Sequence, residues 1–381
     1  MHIAMLSRGY GKTAGIWRVT TDLAEAFLAR GIRVTYFCAD PPVSSHPDLR
    51  FVAVPTPRQP YALRVPLFAR RASAAAARGR FDIVHGQATD CRGADIITAH
   101  SCHRYGMELM RRTGGAWEWI KKTINPVHPA IYALERYNFS TRGHRRILSV
   151  SGRVKQEIVE TYGVAPERVR VVPNGVDLRT FDPARREERR ERVRRRLGLG
   201  DAPVILFVGY EYVRKGLRFL LEAMPRMRHA DARLLVIGKP PTHHARHHVA
   251  RGHLEHRVRF TGPVAEVEDY YAAADVFALP TLYEAFGLVI AEAMASGLPV
   301  LTTRVAGAAE WMQDGRDSIL IDMPPDPERI AAHLDALLDD EALRRRLGRE
   351  ARRTAERHWA ADAVAEQVLA VYRELLQEKA P

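Results

Sequence analysis

Cysteine is scarce in this chain: three in 381 residues, Cys38, Cys91 and Cys102, with no CxxC spacing. A disulfide framework or zinc knuckle is therefore excluded as the basis of the fold. Cys102 and His103 beside His100 invite a metal reading, but no fourth ligand accompanies them and a buried loop cluster is the expectation. No apolar run approaches the roughly 20 residues that span a bilayer. Residues 1–6 read as a strand and not as a signal peptide, so a cytoplasmic protein is expected. No DxD triplet occurs in a loop suited to presenting a metal. Helix-turn-helix, zinc-finger and RRM signatures are missing and the basic segments lack interleaved aromatics, which weighs against a nucleic-acid-binding protein.

What is there is ordinary for a globular protein, 46% hydrophobic and 27% charged. The length predicts about two domains, each large enough for its own core. The formal net charge of +13 is unevenly spread: residues 1–173 hold 26 Lys and Arg against 13 Asp and Glu, and the remainder is neutral. A one-sign field of this kind attracts an anionic partner such as acidic lipid headgroups or a phosphorylated glycolipid. A general preference for arginine, which also crowds neutral regions such as Arg344-Arg345-Arg346, accounts for it equally well.

Apolar runs at 3–6, 34–38, 51–54, 83–85, 96–99, 146–150 and 170–172 read as strands, with an amphipathic helix near 17–30 and further helices between them. After Pro173-Asn174-Gly175-Val176-Asp177, an Arg/Glu-rich helix near 184–197 ends at Gly198 and Gly200. The pattern then restarts, with strands at 204–208, 233–237, 258–260, 276–279 and 299–302. Helices are expected near 217–227, 243–252 and 267–274. Alternation of this kind predicts parallel, doubly wound sheets, hence an α/β protein of two Rossmann-like domains, 1–178 and 179–359. A closing helix near 359–376 has its apolar positions on one face.

The most informative stretch is Glu284-Ala285-Phe286-Gly287-Leu288 through Glu292-Ala293-Met294-Ala295-Ser296-Gly297-Leu298-Pro299-Val300. A strand runs into a loop, and the loop opens at a helix N-terminus, where unpaired amides and the positive dipole end suit a phosphate. Glu284 and Glu292 lie eight residues apart, roughly two turns at about 3.6 residues each, so both can face that mouth. Carboxylates beside an anion site are poor phosphate ligands and good acceptors for sugar hydroxyls. The combination suggests a sugar nucleotide.

This segment resembles the glutamate, seven residues, glutamate signature of the family-4 retaining glycosyltransferases of GT-B fold. The resemblance implies two facing Rossmann-like domains with a C-terminal crossover helix, residues 360–381, packing back on the acceptor-binding first domain. It implies that Glu284 binds the donor sugar, that Glu292 binds the ribose, and that the backbone at Phe286, Gly287 and Leu288 meets the diphosphate. In Gly209-Tyr210-Glu211-Tyr212-Val213-Arg214-Lys215-Gly216, adjacent cations at a helix start suit a diphosphate leaving group. Many family members place the Arg directly after the strand glycine, where Tyr210 stands, so its role passes to Arg214. The Gly209 to Gly216 spacing is more similar to the bacterial lipopolysaccharide core glucosyltransferases.

Gly9-Tyr10-Gly11-Lys12-Thr13-Ala14 fits GxGxxA with Asp40 after the second strand, the dinucleotide fingerprint in outline. A P-loop reading fails because its first Gly would fall at Leu6. In the family this loop, ending here at Gly15, lies against the donor phosphate. The resemblance also makes His100 the candidate to approach the reacting hexose, a satisfied structural histidine being the other reading. His103 and Arg104 would touch the acceptor, Asn174 would lie near the cleft, and Gly238-Lys239 and Thr261-Gly262 near the base. The function implied is a retaining, metal-independent transfer of a hexose, glucose from a UDP-sugar, to a lipopolysaccharide-core or other glycolipid acceptor. No cofactor is implied beyond the nucleotide-sugar co-substrate, and an anionic membrane surface is the expected neighbour. The alternative enzyme is a GT-B sugar-nucleotide epimerase, for which no acid/base pair of carboxylates stands out.

Overall fold

A computed structural model describes residues 1–11, 15–42, 46–113, 125–140 and 142–378. The chain divides into two compact units, Met1–Gly175 with Ala361–Pro381, and Val176–Ala360. Val176, Asp177 and Leu178 thus belong to the second unit.

The first unit is built on seven strands: β1 His2–Leu6, β2 Arg33–Cys38, β3 Leu49–Ala53, β4 Ile83–Gln87, β5 Ile96–Ala99, β6 Arg146–Ser149 and β7 Val169–Val171. All neighbours pair in parallel, in the order β3-β2-β1-β4-β5-β6-β7. The second unit has β8 Val204–Gly209, β9 Arg233–Gly238, β10 Val258–Gly262, β11 Val276–Leu279, β12 Val300–Thr303 and β13 Ile319–Ile321. They too are parallel, in the order β10-β9-β8-β11-β12-β13. Central strands such as Val276–Leu279 are buried throughout, as a parallel sheet covered by helices on both faces requires. In each sheet the order turns back between the first and fourth strands, the position at which open α/β sheets commonly bind ligands.

Every expected strand has its counterpart, and β13 is additional: three residues are too few to show a period. The closing helix needs correction. Trp359 does not start it but ends the preceding helix, Glu341–Trp359; Ala360 then turns extended (φ −54°, ψ 125°) and the last helix is Ala361–Gln377. The cause is packing, since the fully buried Trp359 indole meets Phe286 and Trp311 edge-on in the second unit. The helix expected near 217–227 is α-helical over Leu217–Ala223 only, and Pro225 lies in the 3-10 turn Met224–Arg226 that follows.

Helix Ala361–Gln377 belongs to the first unit. Val364, Ala365, Val368, Leu369, Val371, Tyr372 and Leu375 enter one core with Phe27, Tyr36 and Leu148. Its acids pair with arginines: Asp362 and Glu366 with Arg30, Glu374 with Arg170, Glu378 with Arg145 and Arg146. These pairs are solvent-exposed and weak, whereas a buried Leu or Val contributes about 1.5–3 kcal/mol. The apolar face therefore dominates the attachment of this helix. Among the described residues, no helix is long and apolar enough to cross a membrane.

Candidate functional site

In the second unit the loops after β8 and β11, first and fourth strands of their sheet, meet at the turning point of the strand order. Gly216 makes the approach possible: it sits at φ 77°, and a Cβ there would lie 1.9 Å from the Pro280 carbonyl oxygen. Leu282 N and Thr281 Oγ1 both donate to Arg214 O (2.8 and 3.0 Å), fastening the loops together. Across this junction Lys215 Nζ donates to Glu284 Oε2 at 2.6 Å. Arg214 Nη1 lies 3.4 Å from the same oxygen and donates to Tyr283 O at 2.6 Å. Arg214 Nε donates to Glu211 Oε2 at 2.8 Å.

The side chains of Lys215 and Glu284 are 12% and 13% exposed. Burial by itself would raise the Glu284 carboxyl; the charges of Lys215 and then Arg214 outweigh it and hold the group below the usual carboxylate range. Gly209 also has a packing role. A Cβ there would fall 2.1 Å from Lys215 Cδ, so the bare glycine is the surface across which the lysine stem runs. Any side chain at 209 displaces the ammonium from Glu284.

The strand of chain carrying Glu284 is held from behind. Gly307 N donates to Glu284 O (2.9 Å) and Ala308 N to Phe286 O (2.7 Å), with Gly307 so close to Ala285 that a Cβ would strike its carbonyl at 2.1 Å. The Phe286 ring is core, edge-on to Trp311 and Trp359. Only its backbone is placed to serve a ligand. Gly287, at φ 102°, caps helix Leu288–Ala295, whose first-turn amides at Leu288 and Val289 precede the intrahelical bonds and have no helical acceptor. Glu292, on that helix, is 4% exposed and accepts from Tyr271 Oη at 2.8 Å. Tyr271 was not foreseen, because no motif links it to a residue 21 positions away. Lys239 O accepts from the Tyr212 hydroxyl beside the carboxyl end of β9.

The other expected residues lie in the first unit. Gly15 opens helix Gly15–Leu28; Lys12, Thr13 and Ala14 of the same loop lie outside the described residues. His100, just beyond β5, is buried and donates to Gln87 Oε1 at 2.9 Å. Burial holds its pKa down at about 4, so the ring is neutral near pH 7. With Asp22, Gln87, Thr98 and Asn174 it lines a cavity of about 30 Å³. His103 stacks on His128 (2.8 Å between Nε2 and Nδ1), and Cys102 Sγ donates to Glu157 O at 3.9 Å. His100, Cys102 and His103 therefore face different partners, and among the described residues no group of three or more His, Cys, Asp or Glu is arranged to hold a metal ion. Arg8, after β1, donates through its backbone N to Asp90 Oδ2 at 2.7 Å and pairs with it through Nε, an ion pair the sequence reading missed.

Two parallel α/β units with the same turning strand order, and cations set against a carboxylate at the strand ends, are in keeping with what comparison with known proteins shows. The Glycosyltransferase Family 4 model matches residues 13–180 and the Glycosyl transferases group 1 model residues 202–340. D-inositol 3-phosphate glycosyltransferase of Xylanimonas cellulosilytica is 31% identical over 409 aligned positions, covering 97% of this chain and 94% of that protein. Other relatives match over shorter stretches, one at 37% identity over 258 residues, and the chain spans 52–64% of their length. Among solved structures, WaaG, a glycosyltransferase involved in lipopolysaccharide biosynthesis, has a TM-score of 0.81 at 22% identity over 97% of this chain and 99% of that one. Anabaena Alr3699/HepE in complex with UDP-glucose has a TM-score of 0.73 at 18% identity over 98% and 100%. The chain belongs to the family-4 glycosyltransferases, of GT-B fold.

Proposed function

We propose that this enzyme moves a hexose, glucose in our reading, from a UDP-linked sugar to a lipopolysaccharide-core or other glycolipid sugar, with retention at the anomeric carbon and no metal. The observation that carries the reading is the Lys215–Glu284–Arg214 cluster at the turning point of the second sheet. The Glu284 carboxylate lies against both cations. A hexose hydroxyl donating to Glu284 frees the ammonium and guanidinium toward the diphosphate, so sugar and phosphate are recognised together. As the bond from C1 to the diphosphate oxygen breaks, its electron pair leaves with the diphosphate, and Lys215 and Arg214 stabilise that charge. The acceptor oxygen bonds to C1 on the same face and its proton passes to the departing phosphate oxygen. Such a step needs positioning and charge stabilisation, and no protein nucleophile. Glu292 takes the ribose, the amides from Phe286 to Leu288 take the phosphates, and His100 meets the reacting sugar.

The UDP-glucose bound to HepE and the involvement of WaaG in lipopolysaccharide biosynthesis support the donor and acceptor. The name of the Xylanimonas relative makes a phosphorylated inositol the second acceptor to try. A panel of UDP-, GDP- and ADP-sugars read by saturation-transfer NMR tests the donor, and the anomeric coupling of the product tests retention. Activity lost in EDTA and restored by magnesium or manganese would refute the metal-free step. The basic first unit further predicts peripheral attachment to anionic membranes, since each basic residue near the surface contributes about 1 kcal/mol. Co-sedimentation with liposomes should rise with anionic lipid and fall with salt; equal binding to neutral liposomes would point to a soluble acceptor.

A further inference from the structure

Behind His100 runs a line of buried polar side chains with no part in the scheme above. His100 Nε2–H donates to Gln87 Oε1 (2.9 Å), Gln87 Nε2–H to His85 Nε2 (3.3 Å), and His85 Nδ1–H to Tyr372 Oη (2.6 Å). Thr98 Oγ1 lies 2.7 Å from the same His85 Nε2, so hydroxyl and amide share that nitrogen, the hydroxyl at the shorter distance. His85 and Tyr372 are fully buried, and Gln87 and His100 are 2% and 9% exposed. The two ends of an amide differ chemically, its oxygen only accepting and its nitrogen only donating, so one glutamine assigns the protons on both rings.

The backbone fixes that glutamine. Gln87 ends β4, and the next residue, Ala88, sits at φ 47°, a left-handed conformation that a non-glycine residue adopts only when its surroundings enforce it. Ala88 N donates to Thr98 O (2.8 Å), and the buried Asn138 donates through Nδ2 to Ala88 O (3.2 Å) and Cys91 O (2.9 Å). The line ends on Tyr372, which belongs to the last helix, Ala361–Gln377.

We propose that Gln87 is the positioning residue for His100, holding its imidazole as the Nε2–H tautomer with Nδ1 left as an acceptor, and that through His85 and Tyr372 the last helix is part of this site. The consequence for catalysis rests on the reading that His100 meets the reacting sugar. Burial keeps both rings neutral at pH 7, His85 at about 3 and His100 at about 4, and only a neutral imidazole has a tautomer to set. Among the described residues, the titratable groups near His100 are His85 from β4 and Asp22 of helix Gly15–Leu28, which lines the same cavity; the last helix presents Tyr372 to His85. A glutamine suits the task where a glutamate does not: a carboxylate would draw a second proton onto the ring.

Histidine 15N NMR on the full-length protein, with transfer kinetics on the same samples, tests this. The wild type should show His100 protonated on Nε2 and His85 on Nδ1. Gln87→Leu should release His100 into a mixture of tautomers and lower kcat on the order of tenfold at little change in donor KM. Gln87→Glu should restore the fixed ring but raise the His100 pKa, giving a kcat that falls on the acid side of neutrality, a dependence Gln87→Leu lacks. Tyr372→Phe removes the acceptor of His85 Nδ1–H; the His85 proton should move to Nε2, the amide turn over, and the His100 proton move to Nδ1. A His100 tautomer that is the same in all four proteins, or a wild-type proton on Nδ1, overturns the proposal. His100→Ala separates the two readings. If it transfers at the wild-type rate, contact with the sugar fails while the NMR still decides the positioning; if it is slow and Gln87→Leu matches the wild type, the positioning fails alone.

Discussion

Both units set a cation from the first-strand loop against a carboxylate from the fourth-strand loop, but with different stoichiometry. In the first unit Arg8 pairs with Asp90, with Arg64 adding charge from farther away, and in the second Arg214 and Lys215 both lie within ion-pair distance of Glu284. The Asp90 carboxyl is pushed up by burial against the pull of Arg8. At Glu284 burial pushes the same way, yet the two cations win and the carboxyl is held down. One cation goes into offsetting the desolvation of its acid, which makes a structural tie between loops. The second cation, Arg214, bridges Glu284 and Glu211, and in the proposed function it turns toward the diphosphate.

That contrast is best broken at the first unit's pair. Arg8→Met strands a buried carboxylate, which costs about 3–5 kcal/mol. Calorimetry should show the first unit's transition lowered on the order of 10 °C, with the second unit's unmoved; equal melting of variant and wild type would deny the pair its structural role. The matching change in the second unit, Lys215→Ala, should leave melting nearly unchanged and lower kcat on the order of 10²- to 10³-fold. Because the interaction strengthens as charge develops, kcat should fall more than donor KM rises, and the opposite split would reduce Lys215 to a binding cation.

Glu292→Ala is expected to weaken donor binding tenfold to a hundredfold, on the order of one or two charged hydrogen bonds at about 1.5–3 kcal/mol each. Tyr271→Phe, which keeps the carboxylate and removes its protein partner, should cost less. An unchanged donor Kd for Glu292→Ala by calorimetry would take this residue out of the site.

A separate effect is expected on stability against pH. His85 and His100 have folded-state pKa values of about 3 and about 4, below the ordinary 6.5. The unfolded chain therefore binds protons that the folded one refuses, and stability falls as pH drops from 6.5 toward 4 and is level above 6.5. The lowered pKa of Glu284 has the same sign at lower pH, its contribution being lost as pH falls below the ordinary 4.5. Melting curves of His100→Asn should show a shallower loss over the histidine range; an unchanged slope would place His100 in a solvated environment.

The strands were legible because buried parallel strands are apolar runs of four to six residues, such as Val204–Gly209, bounded by turn residues. The Arg214-Lys215 and Glu284 motifs were legible because their spacing is local. Two partners could have been found and were not: His85 and Gln87, two apart on β4, point to one face of the sheet and are polar where their neighbours are apolar. Tyr271 carried no such signal, and nothing near Gly209 in sequence showed that the Lys215 stem runs across it. Trp359 continued a helical pattern in sequence, and its burial among rings of the second unit ended the helix instead.

By itself the sequence determined the succession of strands and helices, the glycines that permit close loop crossings, and the excess of positive charge before residue 173. Each is a property of residue type and near spacing, which the backbone reads over a few positions. Only the tertiary structure decided which charges neutralise one another: Lys215 finds Glu284 across 69 residues and Arg8 finds Asp90 across 82. It also decided that His100 is held by a line of hydrogen bonds ending on the last helix. The physical reason is that burial and distance set the strength of an ionic or hydrogen-bonded contact, and both come into being only when the sheets have formed and the chain has returned to its first unit.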